Sequence, residues 1–144
     1  MKNNYFSDIV WHCNYQLVLV PRNMATSAFC ILRRELETIF ADICRRLEVD
    51  ILSLEISPNH VYIQLSIHPR NSPLEVVRSL KNISSSELFQ RYSGLLHILE
   101  GKSFWTDGCL LYTKALSKQT IQNYIGNQLE ADWWAGCNCA ENSL

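Results

Sequence analysis

The stretch Asn59-His60-Val61-Tyr62-Ile63-Gln64-Leu65-Ser66-Ile67-His68 alternates strictly between polar and apolar residues. Side chains two apart in a strand point the same way, so Val61, Ile63, Leu65 and Ile67 can seal a core beneath a row of His60, Tyr62, Gln64, Ser66 and His68. Such a row suits a half-exposed strand and equally a site, since it opens on an imidazole beside a phenol. Immediately before it, Ser57-Pro58-Asn59 is a tight turn, and residues 49–56 read as a strand that pairs back on it as an antiparallel hairpin.

Working outward, residues 9–20 are rich in β-branched and aromatic side chains and stop at Pro21, which predicts a first strand. After a loop at 21–27, Phe29, Leu32, Leu36, Ile39, Phe40, Ile43 and Leu47 recur at mostly three- and four-residue steps. That stripe predicts one amphipathic helix over 28–47, capped by Thr26 or Ser27. Ser72-Pro73-Leu74-Glu75 combines an N-cap serine, a proline at the first helical position and a glutamate at the third, so a second helix is expected to about residue 91. Gly94 and Gly101 bracket a connector. Phe104-Trp105 and residues 109–113 suggest a fourth strand broken by the Thr106-Asp107-Gly108 turn, and Ser117 caps a last helix bearing Ile121, Ile125 and Leu129.

The order strand, helix, strand, strand, helix, strand, helix predicts an α+β, ferredoxin-like βαββαβ antiparallel sheet with its helices on one face and an added C-terminal helix. The polar row of the His60 strand then faces away from the crossover helices, free for a ligand or for the extra helix. At 144 residues one domain is expected over 1–134, burying roughly 68–70% of the surface of the unfolded chain, with a loose tail at 135–144. Trp133-Trp134 read as packing residues.

A composition 47% hydrophobic and 19% charged, with no apolar run near the ~18 residues that cross a bilayer, excludes a membrane span. The first residues lack the apolar core of a signal peptide, which places the protein in the cytoplasm. The six cysteines then read as reduced thiols, and Cys137-Asn138-Cys139 lacks the spacing of common zinc sites. A net charge of -1 argues against strong nonspecific binding of nucleic acid, leaving local cations such as Arg78 and Lys81 as candidate phosphate contacts.

On the last helix Tyr124 and Gln128 are four residues apart and share a face offset from the apolar stripe. Together with the histidine strand and the order of elements, this resembles the TnpA-type HUH tyrosine transposases of the smallest bacterial insertion sequences. The resemblance is carried by Asn14-Tyr15-Gln16-Leu17-Val18-Leu19-Val20, by Pro58-Asn59-His60-Val61-Tyr62 and by Ser72-Pro73-Leu74-Glu75-Val76-Val77-Arg78-Ser79-Leu80-Lys81. Phe104-Trp105-Thr106-Asp107-Gly108 followed by Tyr124-Ile125-Gly126-Asn127-Gln128 completes it.

What the resemblance implies is metal-dependent cutting and rejoining of single-stranded or hairpin DNA by a homodimer. In such proteins two histidines one residue apart and a glutamine of the last helix hold Mg²⁺ or Mn²⁺ at the scissile phosphate, and the helix tyrosine keeps the 5′ end covalently. Carried over, Tyr124 attacks while His60 and Gln128 bind metal. The second histidine is replaced by Tyr62, a neutral phenol and a poor ligand for a hard cation. Gln64, on the same face, is the further oxygen donor. Other departures are Asn59 for the usual aspartate, Gln16 for a histidine, and Ser86-Glu87 where relatives tend to be basic. The sequence therefore leaves two readings: an enzyme with a weakened metal site, or a silent descendant that needs no metal and binds hairpin or single-stranded nucleic acid as a regulator.

Overall fold

The structure, a computed structural model, describes the backbone at residues 5–6, 9–10 and 13–142, and side chains over 13–133 apart from 24 and 26–28. A two-stranded ladder, β1 (Tyr5–Phe6) against β2 (Ile9–Val10), precedes the main sheet. That sheet contains β3 (Asn14–Leu19), β4 (Asp50–Ser57), β5 (His60–Ser66) and β6 (Leu110–Tyr112) in the order β4-β5-β3-β6, every neighbour antiparallel. With α1 (Thr26–Ile31), α2 (Arg33–Arg46), α3 (Pro73–Arg91), α4 (Ser93–Ile98) and α5 (Lys118–Asn142), this is the ferredoxin-like plan plus a last helix. No helix among the described residues is long and apolar enough to cross a membrane.

One face of the sheet is closed by α2 and α3. Leu17, Leu19, Val61, Ile63, Leu65 and Ile67 meet Leu36, Ile39, Phe40 and Ile43 of α2 and Val76, Val77, Leu80 and Leu88 of α3, all buried. Trp105 lies at the centre, its ring 6.1 Å from Phe29, 5.9 Å from Phe40 and 5.0 Å from Phe104. Its indole Nε1–H donates to Ser84 Oγ at 2.9 Å, so the one polar atom of the ring is satisfied inside the core. The α3 start is as the sequence predicts: Ser72 Oγ accepts from the Glu75 N–H, and Pro73 opens the helix.

The opposite face holds a smaller cluster. Val18 and Val20 of the first strand and its exit meet Ile121 and Ile125 of α5, flanked by Tyr62, Leu110, Leu116, Tyr124 and Leu129. The extra helix therefore packs on this face beside Tyr62, one member of the polar row of β5.

Several boundaries differ from the sequence reading. The expected strand at 9–20 is divided into β2 and β3. The expected single helix breaks at Leu32, whose φ of -88° and ψ of 5° turn the chain. Across this break Phe29 and Leu32 are buried while Ile31 is exposed. The connector contains α4, because Leu95 and Leu99, one turn apart, are both buried against the core. Gly101, at φ 77°, then ends that turn with its N–H on Leu96 O at 3.0 Å, a left-handed stop that glycine adopts without a Cβ clash. Finally, the expected irregular tail is helical in backbone through Asn142, since residues 135–142 carry no proline to stop α5. The side chains of Cys137 and Cys139 lie outside the described residues.

Candidate active site

β5 sets the sheet side of the site. His60 is only 8% exposed, and its Nδ1 is 2.9 Å from Asn59 Oδ1. An oxygen acceptor on Nδ1 fixes the proton there and leaves Nε2 as the lone-pair nitrogen. Burial holds the imidazole below its ordinary value of 6.5, with the Glu55 carboxylate opposing, so the ring is neutral at pH 7. Two residues on, Tyr62 Oη donates to Gln16 Oε1 at 2.6 Å. The β3–β5 register makes this contact: Val18 faces Tyr62 and Gln16 faces Gln64, so Gln16 and Tyr62 are diagonal neighbours on one face. Two departures from the family pattern, at 16 and at 62, are thus hydrogen-bonded to each other.

α5 supplies the other side. Ser117 Oγ accepts the Thr120 N–H at 3.2 Å and starts the helix. Asp132 near its middle receives Arg22 Nη1 at 2.7 Å and the Asn23 N–H at 2.9 Å, while Asn23 Nδ2 donates to Leu129 O at 2.9 Å. The Arg22 and Asp132 side chains are each only 11% exposed, so this ion pair is well shielded. Arg22 also reaches Ser103 O and Asp107 Oδ1, both at 2.8 Å, tying α5 to the segment before β6.

Between these fastenings, Tyr124 and Gln128 converge on Gly108. Gln128 Oε1 accepts the Gly108 N–H at 3.2 Å. A Cβ placed on Gly108 would lie 3.0 Å from both Tyr124 Oη and Gln128 Oε1, so any larger residue would require these two side-chain ends to shift. Tyr124 Oη is buried with no hydrogen-bond partner among the described residues. Burial first, and the Cys109 thiol second, raise the phenol above its ordinary 10, so Tyr124 is protonated at neutral pH in this arrangement.

The residues singled out in the sequence are therefore partly assembled. Tyr124 and Gln128 stand together, and Tyr62 and Tyr124 flank the same apolar cluster under α5. His60 is on β5, separated by β3 from β6, the strand that follows Gly108. Gln64 is half-buried opposite Gln16. Arg78 is exposed and pairs with Glu75 at 3.1 Å. Lys81, a candidate phosphate contact, directs its Nζ instead to the carbonyl oxygens of Thr106 at 2.8 Å, Asp107 at 3.1 Å and Gly108 at 3.1 Å. Gly108, Arg22 and Asp132 carry contacts that sequence reasoning missed. The Thr106-Asp107-Gly108 turn was the available signal, but nothing local says which helix it meets.

As a holder for a divalent ion the arrangement fits poorly. Among the described residues no three His, Cys, Asp or Glu side chains form a ligand group. Of the other donors, the Tyr62 hydroxyl is engaged by Gln16 and the Gln128 oxygen by Gly108. His60 Nε2 alone is a strong neutral donor, below the several ligands that a hard cation takes.

Comparison with known proteins places the chain. Residues 9–128 match the family described as "Transposase IS200 like". The transposase for insertion sequence element IS200 of Salmonella typhimurium is 30% identical over 122 residues, 85% of this chain and 80% of that protein. The ISDra2 transposase TnpA of Deinococcus radiodurans is 30% identical over 94 residues, 65% of this chain and 67% of its own. In structure the chain is similar to a protein of Deinococcus radiodurans R1 assigned as a transposase, with a TM-score of 0.74 and 24% identity over 89% of this chain and 98% of that one. It is also similar to a REP-associated tyrosine transposase bound to a REP hairpin, with a TM-score of 0.53 and 11% identity over 85% and 68% of the two chains. These two likenesses are of fold, whereas the match over most of the sequence is of family: the chain belongs to the IS200-like transposases.

Proposed function

We propose that this protein processes single-stranded DNA at the ends of an insertion sequence, with Tyr124 as the residue that becomes joined to the 5′ phosphate. The observation that carries this is the meeting of Tyr124 and Gln128 at Gly108, a phenol and a carboxamide presented together on the helix that packs beside Tyr62. In the reaction Tyr124 Oη gives up its proton and forms a bond to phosphorus, and the strand's 3′ oxygen leaves as a hydroxyl. Rejoining runs the same exchange backwards with another 3′ hydroxyl, so no energy source beyond the phosphodiester is needed.

A buried, protonated phenol is not a ready nucleophile, so Tyr124 must leave the Gly108 contact to react. His60 and Gln128 are the residues we assign toward Mg²⁺ or Mn²⁺, with Tyr62 and Gln64 lining the same face. Arg78, exposed at the start of α3, is the cation assigned to DNA phosphate. The molecule acts as a homodimer, an inference that rests on family membership.

The Tyr62–Gln16 hydrogen bond favours a second reading. It closes the place where a second imidazole would stand, as expected of a descendant that binds hairpin or single-stranded nucleic acid without cutting it. Incubation with single-stranded DNA carrying the element's end hairpins, with Mg²⁺ or Mn²⁺, separates the two. The enzyme reading expects a denaturation-resistant protein–DNA adduct that Tyr124→Phe abolishes. Gel-shift binding without adduct at any metal concentration leaves the regulator reading.

A further inference from the structure

Lys81 sits on α3, on the far side of the Thr106–Gly108 turn from α5. An ammonium has three donors and no acceptor, and here it serves the carbonyls of Thr106, Asp107 and Gly108. A cation bound to three successive carbonyls fixes the peptide planes between them. The Gly108 N–H then points to Gln128 Oε1, and the absent Cβ leaves room for the Tyr124 hydroxyl. Lys81 is half-buried, so its charge is held inside this turn rather than offered to solvent.

We propose that Lys81 and Gly108 are positioning residues that form a socket for α5, setting where the Tyr124 hydroxyl and the Gln128 carboxamide stand before DNA arrives. This rests on the reading of Tyr124 as the attacking group, and it assigns Lys81 to the protein's own backbone instead of to DNA phosphate.

Full-length Lys81→Met and Gly108→Ala test it. Gly108 does not require a positive φ, and its near neighbours on α5 are the ends of flexible side chains, so alanine is accommodated by moving Tyr124 and Gln128 rather than by unfolding. Three readouts are taken: amide exchange at Gly108, nitration of Tyr124 by tetranitromethane, and the salt dependence of binding to a single-stranded oligonucleotide. In Lys81→Met the Gly108 amide is expected to exchange about tenfold faster. Nitration of Tyr124 rises in both variants, and the salt slope is that of the wild type.

Wild-type nitration in both variants overturns the socket. So does a Lys81→Met salt slope lower by about 0.7, the loss of one single-strand phosphate contact. Adduct formation is followed in parallel. An adduct whose rate changes at unchanged DNA affinity supports the socket, and an unchanged rate contradicts it. If the wild type forms no adduct, the Tyr124 reading fails by itself, while nitration and exchange still decide whether the socket exists.

Discussion

The two faces of the sheet are built by different rules. Beneath α2 and α3 the contacts are a largely hydrocarbon core around Trp105, in which Ser84 and Ser85 of α3 take the Trp105 indole N–H and the Phe104 backbone N–H. Beneath α5, among the described residues, Val18, Val20, Ile121 and Ile125 are the fully buried apolar residues, and much of the attachment is polar: Arg22 to Asp132, Asn23 to Leu129 O, Gly108 to Gln128. Nonpolar packing is nondirectional and cooperative, whereas hydrogen bonds can be exchanged for water or for a ligand at small net cost. The first face therefore carries the fold, and the second carries chemistry that can be rearranged.

Breaking the first face should have the largest effect. Trp105→Ala leaves a void among Phe29, Phe40 and Phe104 and removes the hydrogen bond that Ser84 Oγ accepts, and is expected to cost about 3–5 kcal/mol in denaturant unfolding. The second face should yield less. Arg22→Met leaves the shielded Asp132 carboxylate without its cation, for an expected loss of about 1–3 kcal/mol. Hydrogen exchange should place that loss in α5 and not in β5.

Tyr124→Phe removes a hydroxyl that has no hydrogen-bond partner among the described residues, so stability should change by less than about 1 kcal/mol while the DNA adduct vanishes entirely. Tyr62→His puts a second imidazole two residues from His60 on one strand face and releases Gln16. Saturable Mn²⁺ binding should appear in that variant by calorimetry where the wild type shows little.

The smallest effect concerns pH. His60 is held below 6.5 in the folded chain, so the unfolded chain takes up the proton first. Stability should fall as acid is added through 6.5 toward the folded value, and His60→Gln should flatten that part of the pH profile.

Where a pattern is local, the sequence was enough. Alternation from Val61 to Ile67, the Ser72-Pro73-Leu74-Glu75 start and the four-residue spacing of Tyr124 and Gln128 each reappear in the structure as β5, α3 and a shared helix face. What was not legible depends on partners distant along the chain. Lys81 reads as a surface cation until the turn at 106–108, 25 to 27 residues on in the sequence, supplies three carbonyls. Gly108 reads as a turn residue until α5 arrives. Gln16 and Tyr62 look like independent departures from a family pattern, and only the β3–β5 register shows them bonded. The break in the helix expected over 28–47 was not legible because the three- and four-residue spacing of Phe29, Leu32 and Leu36, all buried, runs on through the turn at Leu32.

The central claim is that the phenol on α5 is the group that takes the phosphate. Wild-type protein is incubated with hairpin-ended single-stranded DNA and Mn²⁺, digested with protease and nuclease, and its peptides are weighed by mass spectrometry. The account predicts a nucleotide attached through phosphate to the peptide containing Tyr124; a nucleotide on any other tyrosine, with Tyr124 unmodified, would contradict it.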